Sequence, residues 1–373
     1  RLLEPGLGKG LLTTDGEDWR RQRRIMAPAF DHRSLLAYAP MMAEATAALI
    51  ERWDRLPDGA TLDVAAEMMR LTLAIIARAM FSTEAESVSA VVEQAVGRYQ
   101  LEVRPDLLDL LGAPEWWPRR RTRQWRGIFD ELDRVIDRLI RREAADAAQP
   151  KDLLSRLLAA RDSETGLGMS AQEVRDQVVT IFMAGHETTA QALAWTWYLL
   201  SQHPQEEAKV RAELASVLSG RSPRFEDLAS LRYTRMVFEE SMRLYPPAHT
   251  ISRQALEEDE VAGRRVRKGA TIFIVPWLLH RHRMLWERPD AFEPERFAPE
   301  RASARPRFAY IPFGGGPRIC IGASFAMTEA LIILAMLGRR YRLRLVPGHP
   351  VEPVGLITLR PRHGLRMILE RRS

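Results

Sequence analysis

The chain has 373 residues, of which 46% are hydrophobic and 28% charged, and its formal net charge is +6. This length supports one large domain or two ordinary ones with a sizeable core. No run of about eighteen consecutive apolar residues occurs, and the start lacks a signal-peptide pattern, so we expect a soluble, cytoplasmic protein without a transmembrane segment. A single cysteine excludes an internal disulfide and a multi-cysteine zinc or iron–sulfur site.

The first part of the chain is expected to be helical. A basic segment at residues 19–24 comes early, and a helical pattern follows over residues 34–142. Polar breaks near residues 57–59 and 114–118 divide this pattern. Several helices joined by short turns are therefore predicted.

One long helix is predicted in the middle of the chain. Ser170 and Glu173 form a capping-box pattern at its start. Apolar positions then continue to Leu200, and His203-Pro204 ends the helix. About thirty residues at 1.5 Å per residue span on the order of 45 Å, enough to cross a domain.

After this helix the predicted elements are shorter and include strands. Shorter helices are predicted over residues 204–218 and 233–244. Strand-like patterns follow at residues 251–255 and 266–275, with turns expected at Gly263 and at Lys268-Gly269. Residues 286–319 have the composition of an ordered loop. A last helix and a C-terminal hairpin complete a mainly α chain with a minor β-sheet.

The single cysteine, Cys320, lies in Phe-Gly-Gly-Gly-Pro-Arg-Ile-Cys-Ile-Gly at residues 313–322. One thiolate can still ligate an iron that is held mainly by a porphyrin, and glycines let the backbone approach a flat ligand. The apolar run at 321–337 is expected to form a helix whose N-terminus stabilises the anionic sulfur. The alternative is a buried structural cysteine. The pattern Phe-x-x-Gly-x-x-x-Cys-x-Gly resembles the haem-binding loop of the cytochrome P450 family.

A second motif, Ala-Gly-His-Glu-Thr-Thr at residues 184–189, lies inside the predicted long helix. Glycine and threonine are weak helix formers, and a buried acid is unfavourable unless it has a partner. One interpretation is a local kink whose threonines bond back to carbonyls. The motif also resembles the oxygen-activation motif of the P450 family. That resemblance implies that Ala184 and Gly185 line the cofactor, that Thr188 hydrogen-bonds the oxygen species, and that Glu187 helps to deliver protons.

A third pattern, Glu240-Ser-Met-Arg243, places an acid and a base on one helical face. An ordinary surface pair is the simplest interpretation. In the family the equivalent pair is buried and joins an arginine of a later loop, here Arg296. Its implied role is structural, and His280 and His282 are likewise expected to be structural.

The resemblance also implies a set of residues around the haem b cofactor. Arginine suits propionates because it gives bidentate contacts to carboxylates. The candidates for the propionates are Trp19, Arg23, Arg253 and Arg318. Phe313 and Gly314 complete the cofactor set, with Cys320 as the iron ligand. The neighbouring Arg20, Arg21 and Arg24 are expected to form a solvated basic face that could meet a redox partner.

Taken over the whole chain, the resemblance implies a single haem-thiolate monooxygenase domain, residues 1–373, with the long central helix crossing over the haem. The implied reaction inserts one oxygen atom from O2 into a lipophilic substrate such as a fatty acid or a terpenoid. Substrate contacts are implied near Ala184, at residues 248–251 and at Ile357 and Thr358. The substrate class is argued from analogy alone.

Expected partners follow from the same resemblance. No flavin domain follows Ser373, so electrons are expected from a separate ferredoxin or flavodoxin with its reductase. The positive net charge would steer an acidic partner, whereas no motif supports nucleic-acid binding. The protein is expected to be a monomer. Relative to the family the chain is short before Trp19, so it is either a fragment or a minimal variant.

Two other functions stay open at this point. The first is a peroxide-driven or isomerase-type member of the same family, although such members usually lack the acid–alcohol pair seen here at Glu187 and Thr188. The second is a haem-binding protein without catalysis. A CO-bound reduced spectrum and turnover with peroxide or with a reductase would separate them.

Overall fold

The computed structural model describes residues 7–82, 133–141 and 152–372. The polar break predicted at residues 114–118 lies outside these ranges. Two compact units are present, and each is treated by itself below. The first comprises Arg1–Met41 and Arg70–Glu187, and the second comprises Met42–Met69 and Thr188–Ser373.

The described residues of the first part of the chain are mainly helical, as predicted there. Its labelled helices are α1 (Gly16–Met26), α2 (His32–Asp54), α3 (Val64–Phe81) and α4 (Leu153–Ala159). A short 3₁₀ turn, Ala27–Phe30, joins α1 and α2, and residues 133–141 are also helical. Within the first unit, the rings of Phe81 and Phe182 stack with their centroids 5.4 Å apart.

The predicted long helix is α5, Ala171–Gln202, with 32 residues. Both hydrogen bonds of its capping box are present. The Ser170 backbone N–H donates to the Glu173 carboxylate at 2.7 Å, and the Glu173 N–H donates to Ser170 Oγ at 3.2 Å. These two bonds satisfy backbone donors that the first turn would otherwise leave without partners.

Further helices belong to the second unit. They are α6 (Pro204–Leu218), α7 (Arg232–Leu244), α8 (Pro276–Leu279), α9 (Pro299–Ser303) and α10 (Ala323–Arg340). Short 3₁₀ turns lie at Phe225–Ala229, Pro294–Phe297 and Gly316–Arg318. Helix α6 ends as predicted, because Ser219 and Gly220 take the left-handed conformation with φ of 46° and 87°.

Strands make up a minor part of the second unit. They are β1 (Thr61–Asp63), β2 (Ile251–Gln254), β3 (Asp259–Val261), β4 (Arg264–Val266), β5 (Thr271–Ile274), β6 (Tyr341–Leu345), β7 (Pro353–Gly355), β8 (Leu359–Pro361) and β9 (Arg366–Arg371). One antiparallel sheet has the order β1-β9-β6, and β2-β5, β3-β4 and β7-β8 are antiparallel pairs.

The predicted turns between the strands are confirmed, whereas one strand was not predicted. Gly263 and Gly269 have φ of 76° and 82°, and the turn predicted at Lys268-Gly269 separates β4 from β5 within residues 266–275. Strand β3 was absent from the predictions, since Asp259–Val261 is exposed and carries two acids instead of an alternating apolar pattern.

Helix α10 lies in the core of the second unit. Its residues from Leu331 to Leu337 are all buried, which is the pattern of a helix covered on every side. Helices α6 and α7 both pack against it. In the described part of the chain, none of the helices is long and apolar enough to cross a membrane.

Candidate active site

The loop before α10 presents the thiol of Cys320 at the surface of the protein. The Cys320 N–H donates to the Phe313 carbonyl oxygen at 2.9 Å, and the Gly314 N–H donates to the Ile311 carbonyl at 3.0 Å. Gly314 and Gly316 have φ of 76° and 70°, where side chains with a Cβ are strained. The sequence therefore folds into a closed loop that holds the cysteine outward. The interpretation of Cys320 as a buried structural residue is wrong.

The sulfur of Cys320 lies beside the N-terminus of α10. Gly322 is the N-cap residue, and a Cβ placed on it would lie 4.0 Å from Cys320 Sγ. The first backbone N–H groups of a helix and its dipole favour a negative charge at this end. This placement supports ionisation of the thiol, although the helix begins at Ala323 and not at Ile321 as predicted.

Apolar surface accompanies the thiol in the second unit. Ile319 is 43% exposed, Phe313 is partly exposed, and the nearest atom to a Cβ on Gly314 is Ile251 Cδ1 at 3.9 Å. An outward sulfur beside accessible apolar side chains and glycine backbone suits a flat, largely apolar macrocycle whose iron takes a thiolate ligand. The residues present fit a haem group.

The motif in α5 divides between two faces of the helix. His186 and Glu187 are each 2% exposed, whereas Ala184 is exposed and Gly185 and Thr188 are partly exposed. Ala184 and Thr188 are one helical turn apart and share a face. They form an accessible stripe along a helix that is otherwise mostly buried.

The described neighbours of Gly185 leave room for a residue larger than glycine. A Cβ at this position would meet Ile76 Cδ1 at 3.6 Å, which is an ordinary contact. The neighbouring His186 points inward, where its Nδ1 contacts the Phe182 carbonyl, and burial lowers its pKa. Its own carbonyl accepts from Thr72 Oγ1 at 2.9 Å. His186 is therefore a packed structural residue in the first unit.

The four residues predicted for the propionates lie in three elements. Trp19 and Arg23 are partly exposed on α1, in the first unit. Arg253 is exposed on β2, and Arg318 is partly exposed in the 3₁₀ turn before Cys320; both belong to the second unit. Their role toward the cofactor stays a prediction, as do the roles of Phe313, Gly314, Ala184 and Gly185.

The basic face predicted for α1 is only partly present. Arg21 pairs with Glu173, and Arg24 pairs with Asp162 at 2.8 Å, so both side chains are less than one-third exposed. Arg24 holds the pKa of the buried Asp162 carboxyl well below its usual range. Their partners lie more than a hundred residues away along the chain, so local sequence did not reveal them. Arg20 alone among the three stays mostly exposed, beside Glu17.

The bracing network predicted from Glu240, Arg243 and Arg296 is confirmed. Arg243 Nε donates to Glu240 at 2.7 Å, and Arg296 Nε lies 3.4 Å from the same carboxylate. All three residues are buried. Arg243 also donates to the carbonyls of His280, Pro289 and Ala291 at 2.6–2.9 Å. Burial raises the pKa of Glu240, and the two guanidinium groups oppose that shift.

His280 connects this network to the cysteine loop. Its Nε2 accepts the Ile311 N–H at 2.9 Å, which requires the neutral imidazole. Burial, together with the nearby Arg243, lowers the pKa of His280 to about 3. The structural role expected for His280 agrees with this geometry. His282 is exposed in the same loop.

Sequence reasoning missed Glu329 on α10. Its carboxyl is 2% exposed and accepts a hydrogen bond from Thr189, the residue after Thr188. Burial raises the pKa of Glu329 well above its usual range, and the hydrogen bond from Thr189 opposes that shift. The available sequence signal was a single acid within the apolar run 321–337, which is unfavourable without a partner.

An outward thiol at a helix N-terminus, a glycine-rich loop before it and a buried bracing network define a haem-thiolate class of protein. Comparison with known proteins agrees. The family model described as Cytochrome P450 matches residues 1–363. The chain belongs to the cytochrome P450 family, whose members are haem enzymes with a cysteine thiolate ligand.

Individual relatives give the same result. The chain is 41% identical to cyclooctatin synthase of Streptomyces melanosporofaciens, over 99% of this chain and 80% of that protein. It is also 41% identical to cyclooctat-9-en-7-ol 5-monooxygenase of the same organism, over 92% and 74%. The crystal structure of the cytochrome P450DA heme domain superposes with a TM-score of 0.89 at 28% identity, covering 100% of this chain and 82% of that one. The expected mainly α P450 fold and monooxygenase class are confirmed.

Proposed function

We propose that this P450 monooxygenase oxidises a lipophilic cyclic substrate, with Cys320 as the iron ligand and Thr188 and Glu187 as the proton-handling residues. The observation that carries the assignment is the outward thiol of Cys320 beside the N-terminus of α10. Residues 1–373 act as one catalytic domain in this proposal.

When bound, haem supplies the iron that activates dioxygen. Cys320 would hold it through the thiolate and donate electron density that favours O–O cleavage. Trp19, Arg23, Arg253 and Arg318 would bind the propionates through N–H donors. Phe313, Gly314, Ala184 and Gly185 would contact the macrocycle.

Thr188 and Glu187 would divide the handling of protons between them. The Thr188 side chain is partly accessible, so its hydroxyl can hydrogen-bond at the reacting centre. Glu187 is buried next to it in the chain, where a carboxyl is kept from bulk water. A positioned acid and alcohol together can hold and pass a proton during the reaction.

The substrate class rests on apolar side chains in the implied substrate segments and on the relatives. Leu356 and Ile357 are 45% and 40% exposed on the loop between β7 and β8. One relative is named for oxidation of cyclooctat-9-en-7-ol, by its name an unsaturated alcohol. An unsaturated cyclic terpenoid alcohol is therefore favoured over a linear fatty acid. The electron donor would be a separate ferredoxin or flavodoxin system.

The test uses haem-loaded protein with a ferredoxin, its reductase and isotopically labelled O2. A panel of cyclic terpene alcohols and dodecanoic acid serves as substrates, and hydrogen peroxide replaces the reductase in a parallel reaction. We expect one labelled oxygen atom in the product of a cyclic alcohol, in the reductase reaction. Efficient turnover with peroxide and none with reductases would instead assign a peroxide-driven enzyme. Preference for dodecanoic acid would overturn the substrate class.

A further inference from the structure

His249 lies between two segments of the second unit that the proposed function places beside the substrate. It follows the Pro246-Pro247 turn after α7 and comes just before β2. Its Nε2 is 3.1 Å from the Leu356 carbonyl oxygen, and its Nδ1 is 2.9 Å from Thr250 Oγ1. A neutral imidazole satisfies both contacts, because Nε2–H donates to the carbonyl while Nδ1 accepts from the hydroxyl.

The hairpin β7–β8 is shaped to receive this imidazole. A Cβ on Gly355 would lie 3.0 Å from both Nε2 and Cε1 of His249, so the ring packs directly on the glycine. Any larger residue at this position would force the ring or the hairpin to shift.

The base and the tip of the hairpin are contacted by different residues. At the base, the Leu359 N–H donates to the Pro247 carbonyl at 3.0 Å, and Trp195 Nε1 donates to the Leu359 carbonyl at 3.0 Å. At the tip, the side chain of His249 reaches the Leu356 carbonyl. The base is therefore held by a backbone hydrogen bond and by the Trp195 indole, and the tip is reached by the His249 imidazole.

We propose that His249 is a positioning residue that fixes the apolar hairpin tip, Leu356 and Ile357, and so sets the shape of lipophilic substrate that the enzyme prefers. The inference rests on the proposed function, which puts residues 248–251 and Ile357 next to the substrate. Both tip side chains are exposed enough to contact a ligand. Loss of one hydrogen bond at the tip would change ligand selection by about fivefold, the effect of a bond of ordinary strength.

Two substitutions distinguish the effect of the His249 hydrogen bond from the effect of its ring packing. His249→Phe keeps a ring against Gly355 and removes the donor, whereas His249→Gln loses the ring and retains an N–H donor at a similar reach. His363→Phe is the matched control, because His363 is 45% exposed and contacts Glu352 outside the hairpin tip. Gly355→Ala, made alone and in a His249→Ala background, tests the ring contact by a double-mutant cycle.

Two measurements read the effect without relying on turnover. Hydrogen exchange follows the tip amides, including the Leu356 N–H that donates to the Thr358 carbonyl. Optical titration of the haem-loaded protein compares 1-dodecylimidazole with imidazole, so that the ratio of the two Kd values isolates the contribution of the lipophilic tail.

We expect His249→Phe to speed exchange at the tip and to change the Kd ratio by about fivefold, while His249→Gln and His363→Phe leave both near wild type. Gly355→Ala should have a larger effect in the wild type than in the His249→Ala background. An unchanged ratio and unchanged exchange in His249→Phe would overturn the inference and leave the proposed function intact. Faster exchange with an unchanged ratio would equally overturn the role in selectivity. Absence of any spectral response to imidazole in the wild type would overturn the proposed function as well.

Discussion

The chemistry assigned to this chain depends on a few side chains whose surroundings differ sharply. Within four consecutive residues of α5, Gly185 and Thr188 are partly accessible while His186 and Glu187 are buried. A helix gives neighbouring residues different directions, so an acid and an alcohol adjacent in sequence sit in different environments. The sequence motif identified the residues, but their division between faces required the structure.

Thr188 is the residue whose removal is expected to affect the reaction most selectively. Thr188→Ala should lower product formed per electron pair consumed by about tenfold or more, because the hydroxyl no longer assists proton transfer. Electrons would then be lost to peroxide and water. Ser201→Ala, on the same helix with its hydroxyl bonded to the Tyr198 carbonyl, is the control. Equal coupling in the two variants would contradict the role given to Thr188.

The lowered pKa of His280 leads us to expect that the free energy of unfolding depends on pH. Its pKa in the folded protein is about 3, below the ordinary value of 6.5. Below about pH 6.5 the unfolded chain binds a proton that folded His280 does not, so the free energy of unfolding falls as pH drops toward 3. One such proton lowers it by about 1.4 kcal/mol per pH unit. Above pH 6.5, His280 is neutral in both the folded and the unfolded protein, so it does not make the free energy of unfolding depend on pH.

Urea unfolding at several pH values tests this expectation. His280→Gln leaves a carbonyl oxygen that can accept the Ile311 N–H but does not titrate. The variant should therefore have a shallower loss of stability between pH 6.5 and pH 4 than the wild type. Parallel curves for the two proteins would show that His280 is not the neutral acceptor described here.

At the scale of elements, the best-predicted features have local causes. The capping box of α5, the left-handed stop after α6 and the helix after the cysteine all follow from residues within one or two turns. The ion pairs of Arg21 and Arg24, the contact between His249 and Leu356, and the Glu329–Thr189 bond join residues far apart in sequence. No periodic pattern encodes such distant partners, which is why they were missed.

The network of Glu240, Arg243 and Arg296 braces the loop that precedes the cysteine. Arg243→Ala should lower the free energy of unfolding by about 3–5 kcal/mol, because it leaves the buried Glu240 carboxylate without its bidentate partner. The matched control is Arg265→Ala, which breaks the exposed pair of Arg265 and Glu258. Because both side chains of that pair are exposed to solvent, Arg265→Ala should leave the free energy of unfolding close to that of the wild type. Similar losses in both variants would contradict the bracing role.

At the scale of the whole molecule, net charge bears on association with an electron donor. A charge of +6 favours encounter with an acidic protein, and such steering weakens as salt screens it. We expect the rate of reduction by an acidic ferredoxin to fall steeply as ionic strength rises to about 0.15 M. A rate that is independent of salt would argue against charge steering.

The contribution of α1 to that encounter can be tested separately. Arg20→Glu and Arg265→Glu each reverse an exposed arginine that pairs with a nearby glutamate. If the donor docks near α1, Arg20→Glu should slow reduction by about threefold or more relative to Arg265→Glu at low salt. Equal rates would place the docking surface elsewhere.

The central claim is that Cys320 supplies a thiolate to haem iron. It is tested most directly by the spectrum of the reduced, CO-bound protein, recorded for the wild type and for Cys320→Ser at equal haem loading. We predict a Soret band at the position of a thiolate-ligated haem in the wild type and its loss in Cys320→Ser, because no other cysteine exists in the chain. A wild-type band at the position of a neutral-thiol or histidine ligand, or a thiolate band that survives in Cys320→Ser, would contradict the assignment.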